Sequence, residues 1–291
     1  MKAANGFNEN SVSTTPLEVR PRRMRFPYEE MTSRFFYDDN PLKSALIASL
    51  SSTFPAGEGE FIESVRLFQD KVDDPELSTQ IRGFIGQEAH HSQQHKDFNR
   101  ALQKMGFDAV RVEAIFEKDL AWSIRKANPG QRLAFTVAIE HLTAILAEEF
   151  LTNPARLEGM EPAICQLLQW HAVEEIEHKA VAFDLYMSQV GNRKLLRLAM
   201  RVGLFMLIYR TSKYMCFMLA WSRTMPTWKQ FMAFGRFMFG KNGLFRALRA
   251  NYRAYFRADF HPWDHDNRAL IETWKQKIYQ QKYDLAKEKA A

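Results

Sequence analysis

The sequence predicts an all-α protein, on three observations. Glycine (13) and proline (11) are scarce among 291 residues, which favours long helices over many short strands. Helix-start signals recur, each an Asp or Asn followed at once by proline. No alternating apolar and polar run bounded by turn residues reads as a strand. A hydrophobic content of 46% excludes a disordered chain. The two cysteines, Cys165 and Cys216, lie in apolar helical stretches, so no disulfide framework is expected and a reducing cytoplasm fits.

Residues 1–27 lack periodicity, are rich in Asn, Ser, Thr and Arg, and read as a mobile leader without the apolar core of a secretory signal. Asn40-Pro41 starts the first helix. Asp74-Pro75 starts the second, whose Leu77, Ile81, Phe84 and Ile85 carry its apolar pattern towards Gly106. Asn128-Pro129-Gly130 breaks the chain before Leu133, Phe135, Val137 and Ile139. Asn153-Pro154 ends that run, and Pro162 opens a helix expected to continue to about Gly191. The expected organisation is a leader over 1–27, a helical bundle over 28–191 and further helices over 192–291.

Six of the eight histidines lie between His90 and His178. Two belong to Glu-x-x-His units, Glu88 with His91 and Glu175 with His178, and a separation of three puts both side chains on one helix face. Each unit has a glutamate on the helix before it: Glu58 lies 30 residues ahead of Glu88, and Glu140 lies 35 ahead of Glu175. Folded as a hairpin about Asp73-Asp74, Glu58 and Glu88 both sit roughly 22 Å from the turn at a rise of 1.5 Å per residue. Glu140 and Glu175 match about their own turn in the same way, while Glu60 and Glu63 fit less well. Two such hairpins form a four-helix bundle that aims four glutamates and two histidines at one point, the pattern of ferritin-like di-iron or di-manganese proteins. Buried together, four carboxylates require cations. The competing reading, an exposed charged face, is opposed by the apolar flanks Ala138-Ile139 and Val173, Ile176. His171 and His95 extend the stripes, His171 as a further ligand and His95 as a residue that orients a ligand or water. Gln87 and Glu174 are placed to hydrogen-bond a ligand histidine on the opposite helix.

These residues resemble a bacterial family of predicted metal-dependent hydrolases placed among the ferritin-like proteins. The shared stretches are Phe54-Pro55-Ala56-Gly57-Glu58 with Ser64-Val65-Arg66, Gln87-Glu88-Ala89-His90-His91 with His95 and Asn99, and Glu140-His141-Leu142-Thr143. Trp170-His171 through His178-Lys179 and Phe260-His261-Pro262-Trp263-Asp264 complete them, so that the likeness spans roughly residues 38–270. The site is also similar to that of di-iron arylamine N-oxygenases, which add one histidine to the usual six ligands. Position by position the resemblance implies Glu58, Glu88, His91, Glu140, Glu175 and His178, with the added histidine at His171.

Carboxylate and imidazole donors suit two iron ions, with manganese as the alternative. The absence of His-Glu-x-x-His argues against a zinc protease. The first expectation is a non-haem di-iron oxygenase or oxidase acting on a hydrophobic small molecule, its electron donor unidentified. The alternatives are a two-metal hydrolase and a non-catalytic metal-binding protein.

From Leu185 to Ala258 the chain has no Asp or Glu, while Arg and Lys recur between blocks rich in Phe, Met, Trp and Leu. Cations interrupt each apolar run before a membrane-spanning length is reached. Two readings stand: helices lying at the inner membrane surface, or helices packed on the bundle with their arginines reaching solvent. Cations dispersed among large apolar blocks argue against nucleic acid. A homodimer is a further expectation. The segment 259–266, with His261 and His265, reads as a structural turn around a buried Trp263 rather than a second metal site.

Overall fold

The computed structural model describes residues 17–288, with side chains to residue 278, and among these it is all-helical. Ten α-helices follow one another: α1 Pro41–Gln69, α2 Pro75–Lys104, α3 Ala109–Ile124, α4 Pro129–Thr152, α5 Pro162–His178, α6 Val181–Gln189, α7 Arg193–Trp221, α8 Trp228–Phe239, α9 Leu244–Ala254 and α10 Arg268–Glu288. The proline start signals hold. Asn40 accepts from the Leu42 and Lys43 amides, Asp74 caps α2, and Asn128 closes a reciprocal cap with Gln131.

Helices α1 and α2 pair along their lengths, as do α4 and α5, and the two pairs pack together with α6 as a four-helix bundle. Apolar side chains fill the bundle at both ends and leave a polar belt between. At one end lie Ala45, Ala48, Phe98, Leu102, Ile164 and Leu167. At the other lie Phe61, Val65, Ile81, Phe84, Leu133, Val137 and Tyr186. On α1, α2 and α5 the chemistry-bearing residues fall between these blocks. Helix α3 covers α1, α7 lies against α4 and α1, and α10 docks Ile271 and Trp274 on α4 and α5.

Three expectations need correction. The helix from Pro162 does not run through to Gly191; it is interrupted at Lys179-Ala180, where the Lys179 amine is held by the His265 carbonyl and Asn267 Oδ1, both at 2.8 Å. The leader is in part an ordered strap. Residues 1–16 lie outside the described residues, but 17–27 run without helix over α2, where an added Cβ on Gly83 or Gly86 would stand only 2.0 Å from the Val19 carbonyl oxygen or 2.4 Å from Pro21 Cγ. Trp263 is half-buried, sandwiched by Lys179 and Arg268, and Pro262 is the buried residue of that turn.

Candidate metal centre

The structure brings all seven expected ligands to the polar belt: Glu58 from α1, Glu88 and His91 from α2, Glu140 from α4, and His171, Glu175 and His178 from α5. None is more than 5% exposed. Glu175 lies at the middle of the group. Its Oε1 stands 2.8 Å from His171 Nε2, 3.5 Å from His91 Nδ1 and 3.7 Å from His178 Nε2. His178 Nε2 is also 3.2 Å from Glu88 and 3.1 Å from Glu140. Glu58 completes the other side, with Oε1 3.8 Å from His171 Nε2. Donor atoms of Glu58, Glu88 and His91, of His91, His171 and Glu175, and of Glu88, Glu175 and His178 cluster closely enough to share a cation. Glu60 and Glu63 point elsewhere, Glu60 to Arg132 and Glu63 to Arg66.

The outward nitrogens of the three histidines are each tied down, which sets the direction of the inward ones. Gln87 donates from Nε2 to Glu177 and to the Arg20 carbonyl, so its Oε1 accepts from His178 Nδ1 at 2.9 Å, and His178 turns Nε2 to the carboxylates. His91 donates from Nε2 to Glu174 at 3.0 Å, leaving Nδ1 turned inward. Gln87 and Glu174 therefore bond histidines of the opposite helix, as the sequence placed them.

His171 is oriented by a longer chain that begins with a helix defect. Pro55 lies inside α1 and cannot donate to the Ser51 carbonyl. Asn99 Nδ2 donates to that carbonyl at 3.3 Å and to Glu113 at 3.0 Å, so Asn99 Oδ1 accepts the Ser51 hydroxyl at 2.8 Å. With its proton so placed, Ser51 Oγ accepts from His95 Nδ1 at 2.9 Å, and His95 Nε2 accepts from His171 Nδ1 at 2.8 Å. The result is that His171 turns Nε2 towards Glu175, bonded at 2.8 Å, and Glu58, the nitrogen that a neutral imidazole would offer to a cation. His95 also lies within reach of a cation held by Glu58 and His171, but its inward lone pair already accepts this bond.

Electrostatics give the observation on which the site rests. Eleven buried side-chain polar atoms lack a hydrogen-bond partner among the described residues, and nine belong to Glu58, Glu88, His91, Glu140, Glu175 and His178. An unpaired buried polar group costs about 1–3 kcal/mol, and a charged one more. Burial, then the neighbouring carboxylates, push Glu58 and Glu88 well above the usual carboxylate range. Burial likewise lifts Glu140 to about 7. Burial would lower His178, but Glu140 and Glu175 outweigh it and raise the imidazole to about 9. Burial pushes Glu175 up as well, yet His171 and His178 draw it below the ordinary value. Protons thus cluster where positive charge is required, and inward-facing imidazole nitrogens beside orphaned carboxylates fit divalent cations. The rings of Phe54, Phe84 and Trp170 edge onto His95, His178 and His91 at 4.5, 4.9 and 4.9 Å and keep the belt dry.

Several supporting residues were not singled out from the sequence. Arg22, on the strap, reaches Glu174 at 3.0 Å and forks onto Glu177 at 2.6 and 2.7 Å, and Lys275 of α10 meets Glu177 at 2.7 Å. Burial nonetheless lifts Glu174 to about 8. The available signal was the run Glu174-Glu175-x-Glu177, in which Glu174 and Glu177 share one helix face beside Glu175 and both need a cationic partner. The 259–266 turn joins no metal cluster among the described residues; His261 bonds Asp184 at 2.9 Å and His265 bonds Glu148.

The family model described as "Predicted metal-dependent hydrolase" matches residues 20–266. No curated protein and no solved structure matches the chain.

Proposed function

The chain belongs to the predicted metal-dependent hydrolase family, and from that premise we propose that it is a two-metal enzyme whose ions are held by Glu58, Glu88, His91, Glu140, His171, Glu175 and His178. The nine orphaned donor atoms on six of these residues carry the proposal. Two ions are favoured over one because the donors fall on two sides, Glu58, His91 and His171 on one and Glu140 and His178 on the other, with Glu88 and Glu175 between. Iron or manganese suits carboxylate and imidazole donors better than a thiolate-seeking ion.

The family match favours hydrolysis, the alternative expectation, over oxygen activation. When bound, a pair of divalent ions polarises a carbonyl or phosphoryl oxygen and lowers the pKa of water. The chain's own residues hold the geometry: Gln87, Glu174 and His95 fix three imidazoles, and Phe54, Phe84 and Trp170 exclude bulk water. That aromatic surround supports a hydrophobic small-molecule substrate. Oxygen activation by two irons is the second reading, favoured by four glutamates and paired Glu-x-x-His units on a four-helix bundle.

Metal analysis of protein reconstituted with iron or manganese, followed by two assays, tests both readings. Hydrolysis of an aryl ester or amide without oxygen supports the first, and oxygen uptake by the reduced iron protein supports the second. Full metal retention by Glu88→Ala and Glu175→Ala would refute the centre itself.

A further inference from the structure

Helices α8 and α9 carry more apolar surface than the fold uses. Their inner faces are satisfied by Phe234, Phe237 and Met238 on α8 and by Leu244 and Leu248 on α9, which pack on the core. The outer face of α8 nevertheless presents Trp228, Phe231 and Phe239, exposed by 75%, 53% and 71%, along one helical stripe. Met225, just ahead of the helix, is 89% exposed. Trp228 stacks on Phe231 at 5.8 Å, and Phe239 stacks on Phe245 of α9 at 5.2 Å, so the exposed rings run from one helix onto the next. A contiguous exposed patch of this kind marks an interaction surface.

Charge identifies the partner. No Asp or Glu occurs between Leu185 and Ala258. Arg246, Arg249 and Arg253 form an exposed stripe on α9, and Arg223, Lys229 and Arg236 are exposed among the α8 aromatics. None of these six joins an ion pair among the described residues, whereas the cations at Arg257 and Lys213 do. A second copy of the chain docked through the same face would bring the same sign of charge and no carboxylate from this stretch. An anionic bilayer supplies phosphates for the guanidinium groups and a hydrocarbon boundary for the rings. No described helix is long and apolar enough to cross a membrane, which leaves a contact lying in the interface.

We propose that α8 and α9 dock this protein on anionic lipid, the α8 aromatic row entering the boundary between headgroups and acyl chains while the α9 arginines engage the phosphates. The surface residues are none of those that form the metal centre, and the proposal is independent of the reaction performed there.

Co-sedimentation of the full chain with vesicles of phosphatidylcholine alone, or mixed in equal parts with phosphatidylglycerol, provides the test. Binding is expected to be at least about tenfold stronger to the anionic vesicles and to fall as salt rises. Arg246→Glu with Arg249→Glu should lower anionic binding by about tenfold or more. Trp228→Glu with Phe231→Glu should remove the vesicle-induced blue shift of tryptophan emission. All four positions are exposed, so melting temperature and metal content should stay at the parent values and confirm folding. Equal binding to both vesicles, binding to neither, or charge reversals without effect would overturn the proposal. So would a dimer that Phe231→Glu dissolves, or oligonucleotide binding in place of vesicle binding.

Discussion

His95 Nε2 lies 2.8 Å from His171 Nδ1, and this single bond connects the buried centre to a hydrogen-bond chain that leads through Ser51 and Asn99 to Glu113 on α3. Its direction follows from Pro55, which leaves the Ser51 carbonyl free to fix the Asn99 amide. Replacing Ser51 with alanine removes the acceptor for His95 Nδ1 and allows the other imidazole tautomer, which would turn an N–H towards His171. Loss of such an orienting partner typically lowers metal affinity about 10–100-fold. Competition with a chelator should show Ser51→Ala within that range and Ser51→Thr, which restores the hydroxyl, close to the parent. An unchanged affinity in Ser51→Ala would mean that the chain does not orient His171.

Removal of a centre carboxylate should separate stability from metal binding. Glu88 is fully buried, and both its oxygens lack partners. In metal-free protein at about pH 8, Glu88→Gln removes a group whose ionised form is destabilising, so unfolding in denaturant should show a gain of about 1–4 kcal/mol. The same change should abolish the rise in melting temperature that added metal gives the parent. A less stable metal-free variant with normal metal response would contradict the electrostatic account.

The pH dependence has a definite sign. Without metal, Glu140 at about 7, Glu174 at about 8 and His178 at about 9 all sit above their ordinary values of 4.5, 4.5 and 6.5. Their stabilising contributions are complete below those ordinary values and are lost as pH rises through 7, 8 and 9 respectively. Glu58 and Glu88 share that sign. His91 and His95, lowered by burial, oppose it, their contribution being lost as pH falls below 6.5. Bound cations would replace the protons of Glu58, Glu88, Glu140 and His178 and demand a neutral His91. The difference in melting temperature between metal-loaded and chelated protein should therefore widen from about pH 6 to pH 9. A difference that is flat or shrinks over that window would place the ions elsewhere.

What was legible in the sequence was what helical period and chain breaks encode. Glu58 and Glu88, equidistant from one turn, and Glu140 and Glu175, equidistant from another, meet because rise per residue is constant. The Gln87 and Glu174 contacts follow from the same helical geometry, each residue lying beside a glutamate of the polar belt and facing the opposite helix. What escaped depends on contacts distant in sequence or on unusual backbone. The partnership of Ser51 with Asn99 arises from a proline inside a helix, where sequence rules predict a break. The interruption at Lys179 accompanies bonds to residues 86 and 88 positions away. The strap over α2 has no periodicity of its own, and its clearest trace was the pair Gly83 and Gly86 within an otherwise good helix.

That strap ties the N-terminal segment to the centre through Arg22, which answers both carboxylates flanking Glu175, those of Glu174 and Glu177. Removing it by Arg22→Gln leaves Glu174 without this partner and Glu177 with Lys275, at a cost of about 3 kcal/mol for a buried pair deprived of one side. With Arg22 gone, the Glu174 carboxyl should rise above about 8, accept less strongly from His91 Nε2, and weaken metal binding at neutral pH. Gly83→Ala should reach the same end by a different route, because its Cβ would displace the Val19 backbone and with it the strap. Limited proteolysis within residues 17–27 should accelerate in both variants, and metal affinity should fall in parallel. Faster cleavage with unchanged metal affinity in Gly83→Ala would show that the strap covers α2 without supporting the centre.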